Sequence, residues 1–186
     1  NSIQGDLTKS ILEEKPCYTE EQWEIVTKGF NEMGEYARSK GMFFTVHHHM
    51  GTGVQTAEEI DKLMELTDSE LVYLLFDSGH LTFAGIVPVL KKYVNRVKHV
   101  HLKDVRLDVY NNNVVPEHMS FLDAVRAGVF TVPGDGDVDF KPIFDILSDN
   151  DYEGWVVVEA EQDPAKANPF EYAVKARNYI RETAGL

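Results

Sequence analysis

Four apolar runs in this chain end in residues that can hold a metal ion or move a proton. "MFFTVHHH" (42–49) closes on His47 and His49, and "LVYLLFD" (71–77) closes on Asp77 with His80 just beyond. "RVKHVHLKDV" (96–105) carries His99, His101 and Lys103, and "GWVVVEA" (154–160) supplies Glu159 with Glu161 next but one. Side chains alternate between the two faces of a strand, so His47 and His49 share a face, as do His101 and Lys103, and as do Glu159 and Glu161. Val100 and Leu102 take the opposite face, which makes that run apolar on one side and chemical on the other. Imidazoles and carboxylates drawn from several strands suit a divalent ion such as Mn, Co, Fe or Zn better than calcium, and the same groups serve as general acids and bases. A lone histidine at a strand end is more often a hydrogen-bonded structural residue. The convergence points to a site, not any single member.

The elements that must position these residues alternate. Thr19 reads as the N-cap of a helix whose apolar positions Trp23, Val26, Phe30, Met33 and Tyr36 fall at helical spacing before Gly41 stops it. After the first strand, "TAEEIDKLMELT" reads as a helix with Thr56 and Glu59 in capping-box register. After the second, "AGIVPVLKKYV" is a helix with Pro88 in its first turn. The third strand opens a long excursion over residues 106–139, with a helical patch "SFLDAVRAG" and an acidic loop "VPGDGDVDF", before the helix "KPIFDILSDN". The fourth strand leads through "EQDPAKANP" to a last helix, "FEYAVKARNYIRETA". Strands alternating with helices of this length predict a parallel sheet with helices outside it, in one domain over residues 1–186, with the polar strand ends gathered where ligands bind in such folds.

Bulk properties narrow the function. A net charge of −13 repels a phosphate backbone and argues against a nucleic-acid partner. No apolar run approaches a membrane span, and "NSIQGDLTKS" has no signal-peptide pattern, so neither a membrane nor secretion is expected. The single cysteine, Cys17, cannot form an internal disulfide and reads as a loop residue of a cytoplasmic protein. Local motifs fail on inspection. "DGDVDF" starts like a calcium loop but has Phe140 at the sixth position and Ile146 at the twelfth. "GTGVQT" lacks the lysine of a P-loop and reads as a turn rimming the site. "VHHHM" sits inside a strand pattern and is native sequence, not a tag.

The stretches "HHHMGTGVQT", "FDSGHLTFAG", "HVHLKDVR", "GVFTVPGDGDVDF" and "EGWVVVEAEQDPAKANPFEYA" resemble the myo-inosose-2 dehydratases of bacterial inositol catabolism, within the xylose-isomerase-like (β/α)8 TIM barrels. The resemblance implies an α/β barrel of which this chain carries about the C-terminal four β/α units, with the N-terminal half as its missing partner. It implies a hydro-lyase that removes water from 2-keto-myo-inositol, a small cyclic polyol ketone, using a divalent metal, Mn or Co first and Zn, Fe or Mg after. Asp77, His101 and Glu159 are the metal ligands it implies. The relatives usually take a fourth ligand, a Glu, from the preceding strand; here that region offers His49, Thr52 and Gln55, and the fourth ligand stays open. His49, His80, Lys103 and Glu161 remain for acid, base and charge stabilisation, with acid and base unassigned. A sugar isomerase or epimerase of the same fold is the alternative, as is a fragment that binds sugar or partner without chemistry, and a homo-oligomer is left open.

Overall fold

A computed structural model describes residues 2–185 of the chain. Helix α1 (Glu20–Ser39) starts at the expected place: the Thr19 hydroxyl accepts from the Gln22 amide and the Gln22 side chain returns the bond. Strand β1 (Phe44–His47) follows, then α2 (Ala57–Leu66), whose capping box joins Thr56 and Glu59 as the sequence predicts. Strand β2 (Val72–Asp77) runs directly into a single helical turn, α3 (Ser78–Leu81), and then α4 (Ile86–Tyr93) and β3 (Val97–Leu102). The excursion contains β4 (Asp104–Val105), α5 (Leu107–Val109), a π-helical turn, α6 (Phe121–Ala127) and β5 (Phe130–Thr131). It closes into α7 (Lys141–Asp149), β6 (Trp155–Val158) and α8 (Pro169–Ala184).

The four long strands form one parallel sheet in the order β1-β2-β3-β6. Val72, Leu74, Phe76, Val100 and Leu102 are fully buried and join the helices' Ile60, Leu63, Leu90 and Ile143 in one apolar cluster. Each such side chain contributes roughly 1.5–3 kcal/mol by leaving water. The register sets Asp77 beside His101 across the β2–β3 pair, so the alternation that buries Phe76 and Val100 turns both functional groups to the other face. Among the described residues the outer sides of β1 and β6 are unpaired, and Trp155, Val157 and Val158 on β6 are exposed. Among the described residues no helix is long and apolar enough to cross a membrane.

Three features depart from expectation. The inward face of α1 is not Met33 and Tyr36, which are exposed, but Trp23, Thr27 and Gly34. Gly34 lies so close to the start of β2 that a Cβ there would stand 2.4 Å from the Leu71 carbonyl oxygen, so a side chain has no room at this contact. The excursion is not loop alone: β4 and β5 pair antiparallel, and the Asp104 carboxylate beneath them accepts from the amides of Val105, Gly134, Gly136 and Val138. The segment before α1 is not merely polar. It buries Ile3 and Ile11, is tied to Gly51 and Met119 by backbone hydrogen bonds, and brings Gln4 to the strand ends.

Candidate active site

Asp77 is the hub. It ends β2, is fully buried, and caps α3 by accepting from the His80 amide at 3.0 Å, while its own amide donates to His48 Nε2 at 3.1 Å. Its second oxygen, Oδ2, faces His47 Nε2 at 3.3 Å and His101 Nδ1 at 3.5 Å, and His101 Nδ1 in turn lies 3.1 Å from Glu159 Oε2. Tetrahedral coordination with bonds of about 2.0–2.2 Å spaces ligand atoms roughly 3.3–3.6 Å apart. Three contacts among His47, Asp77, His101 and Glu159 fall at or near that spacing. Asp77 Oδ2 and His47 Nε2 are also buried without a hydrogen bond among the described residues, and the charge on Oδ2 is met by the Lys103 ammonium at 3.5 Å. The donor atoms that all lie within 4.8 Å of one another here are those of His47, Asp77, His80 and Glu159; His101 is not in that group.

His47, a strand-end histidine on the same face as His49, is a ligand candidate beside the three that the resemblance implies, with Nε2 3.3 Å from Asp77 Oδ2. Thr52 and Gln55, considered for that place, are spent on the turn: the Thr52 hydroxyl donates to the His49 carbonyl oxygen, and Gln55 Oε1 accepts from the Gly51 amide. His99 makes only a ring contact with His101, at 5.1 Å between centroids, among the described interactions of the cluster.

Beside this shell lies a second group. Lys103 is completely buried, and its ammonium donates to Glu161 Oε2 at 2.5 Å, to Glu159 Oε2 at 2.8 Å and to His80 Nε2 at 2.9 Å, with Asp77 Oδ2 at 3.5 Å. His49 Nε2 stands 4.0 Å from the other Glu161 oxygen, and its ring lies 3.6 Å from that of His80. His49 Nδ1 is 2.8 Å from the Met50 carbonyl oxygen and 2.5 Å from Gln4 Nε2, and these two contacts fix the ring with its other nitrogen, Nε2, toward Glu161. Glu161 holds φ at +43°, the left-handed region a glutamate seldom enters, and this turn is what aims its carboxylate back over Lys103.

Burial and charge set the protonation states. Burial pushes His48 down to about 3 and His49 down to about 4, and it drives His80 well below its ordinary value, so all three are neutral imidazoles at neutral pH. The Asp77 carboxylate at 3.5 Å and then Glu159, which accepts from Nδ1, lift His101 to about 9, making it an imidazolium until a metal displaces its proton. Burial opposes charge on Asp77, but His80, His101, His47 and Lys103 together hold its carboxyl well below the usual range. Burial likewise opposes charge on Lys103, yet Asp77, Glu161 and Glu159 raise it and keep it cationic. Burial raises Glu161 against the pull of Lys103, which makes it the more basic carboxylate of the site.

A parallel β/α sheet carrying a histidine- and carboxylate-lined ion site at the C-terminal ends of its strands is the architecture of a metal-using barrel. The profile of the xylose isomerase-like TIM barrel family matches residues 7–183, and the chain belongs to that family. Within it, the chain is 62% identical to an inosose dehydratase of Clostridium tetani and 61% identical to one of Geobacillus thermodenitrificans, in each case over the whole chain. It spans 63% of the length of those relatives. A sugar phosphate isomerase/epimerase from Parabacteroides distasonis superposes with a TM-score of 0.66 over 89% of this chain and 54% of that one, at 18% identity. An L-ribulose 3-epimerase gives 0.66 over 92% of this chain and 57% of that one, at 16% identity. At these identities the structures share the fold.

Proposed function

We propose that this chain carries the catalytic strand ends of a metal-dependent inosose dehydratase, a hydro-lyase acting on 2-keto-myo-inositol. The observation that carries this reading is the set of relatives of that name at 57–62% identity across the entire chain. The geometry supports it, because a dehydration beside a ketone needs an electrophile, a base and a compensating cation within one small space, and the two adjoining groups offer them.

His47, Asp77, His101 and Glu159 would hold the ion, which when bound supplies electrophilic pull on the substrate ketone. Manganese or cobalt is our reading of its identity. Glu161 takes the proton from the carbon next to the ketone; its raised basicity suits it to that step. The same carboxyl then returns the proton to the hydroxyl leaving the adjacent carbon, so that water departs and a carbon–carbon double bond forms. Lys103, 2.5 Å from Glu161, balances the negative charge that develops as the C–H bond breaks. His49, neutral and with Nε2 toward Glu161, hydrogen-bonds a substrate hydroxyl and orients the ring. Four strands are half of what a closed barrel requires, and the strands that complete it are the partner this sheet needs. We place the reaction in the cytoplasm, where an exposed lone cysteine such as Cys17 persists reduced.

The test is to incubate the full-length protein, loaded with Mn2+, with 2-keto-myo-inositol and separately with ketoses. Loss of water from the inosose, with no epimerised ketose, is the expected result. Ketose epimerisation without dehydration would replace this reading with a sugar epimerase. Glu161→Gln is expected to lower dehydration by about 10³-fold while leaving bound metal unchanged.

A further inference from the structure

The Asp77-Ser78-Gly79-His80 turn is built around the side chain of Lys103. Ser78 clamps the lysine's backbone on both sides: its hydroxyl accepts from the Lys103 amide at 2.9 Å and donates to the Lys103 carbonyl oxygen at 2.8 Å. Gly79 leaves the channel for the stem, since a Cβ there would fall 2.6 Å from both Cγ and Cδ of Lys103. His80 receives the ammonium on Nε2. Phe130 lies under the ammonium, 5.1 Å from Nζ to the ring centroid. A long flexible cation is thus threaded, fully buried, to one defined point.

That point is where an ion would sit. His49, His80 and Glu161 form a second set of side chains whose donor atoms lie within 4.8 Å of one another, and His80 is also that close to His47, Asp77 and Glu159, which links the two groups. The ammonium stands 2.5–2.9 Å from Glu161, Glu159 and His80, on the side of the cluster that borders the first shell, with Asp77 Oδ2 at 3.5 Å. His80 Nδ1 is buried without a hydrogen-bond partner among the described residues, so the ring is held by its contact with Lys103 and not by a partner behind it. We infer that Lys103 is a resident monovalent cation standing in a second metal subsite, formed by His49, His80, Glu161 and the shared Glu159, and that it restricts the centre to one divalent ion. Without the ammonium the subsite has two imidazoles and two carboxylates, a donor set suited to a divalent transition metal. With it, a second ion is excluded by charge and by volume. The inference rests on the first shell, His47, Asp77, His101 and Glu159, binding one ion as proposed above.

The experiment is metal analysis by inductively coupled plasma mass spectrometry on the full chain, loaded with Mn2+ or Co2+ and then dialysed, in the unaltered protein and in Lys103→Met and Lys103→Gln. Expected are one ion per chain in the unaltered protein, two in whichever variants retain the far-UV spectrum of the fold, and one again when Glu161→Gln is added to Lys103→Met. Two ions in the unaltered protein overturn the inference whatever the variants do, and so does one ion in a folded Lys103→Met. Should both variants lose the fold, the Mn2+ electron paramagnetic resonance spectrum of the unaltered protein decides: an isolated ion supports the inference, and a spin-coupled pair overturns it. An unaltered protein that takes up no ion removes the first shell, and the proposed function with it, so the two failures are distinct.

Discussion

At the scale of single residues, two imidazoles on neighbouring faces have opposite expectations. His47 faces the unpartnered Asp77 oxygen, whereas His99 touches the cluster only through the edge of His101. His47→Ala is expected to weaken Mn2+ binding by more than about 100-fold, the scale on which loss of a supporting group already acts, and His99→Ala to leave it within a few-fold. Titration calorimetry with Mn2+ reads both, and equal loss in the two variants contradicts the coordination proposed for His47. Gly79 offers a second residue-scale test. Gly79→Ala forces a methyl into Cγ and Cδ of Lys103, which are too near the backbone to swing aside. Dehydration is expected to fall by about 10²-fold or more with the melting temperature lowered by only a few degrees.

At the scale of elements, the small β4–β5 pair decides whether Lys103 has a floor. It places Phe130 under the ammonium and is itself held by Asp104, whose buried carboxylate is the acceptor for four backbone amides. Gly136 packs so tightly on Asp104 that a Cβ there would stand 2.5 Å from Oδ1, so no side chain fits between loop and carboxylate. Removing the acceptor strands these donors, at about 1–3 kcal/mol each where water cannot reach them. Asp104→Ala is expected to destabilise the chain by at least about 3 kcal/mol in urea unfolding and to open residues 131–138 to limited proteolysis; an unchanged urea midpoint contradicts the role.

At the scale of the whole molecule, the buried histidines give the metal-free protein a stability maximum. His48 and His49, held down to about 3 and 4, are neutral in the fold but take up protons in the unfolded chain below about pH 6.5. Their contribution is present above pH 6.5 and lost as pH falls toward 4, with a slope of about 1.4 kcal/mol per pH unit for each extra proton the unfolded state binds. His101 has the opposite sign. Lifted to about 9, it stabilises fully below pH 6.5 and ceases to do so as pH rises through 9. Thermal unfolding of the chelator-treated protein from pH 4 to 10 is expected to peak near pH 6–7 and decline on both sides. Added Mn2+ is expected to flatten the alkaline limb, because the ion takes the place of the His101 proton.

The sequence by itself determined the order of the four long strands and their main helices, the Thr19 cap and the Thr56–Glu59 capping box, and the strand-end residues worth attention, because these follow from periodicities of two and 3.6 and from short-range hydrogen bonds. It determined that Val100 and Leu102 face away from His101, since alternation is local. Only the tertiary structure decided what those polar groups meet. The β2–β3 register set Asp77 beside His101, the left-handed backbone at Glu161 turned a carboxylate over Lys103, and the missing side chain of Gly79 gave that lysine its path. Gln4 reached His49, and Gly34 closed against the Leu71 backbone, through contacts between residues tens of positions apart. Such distances in space are set by the packing of every element at once, and no pattern within a short window of sequence encodes them.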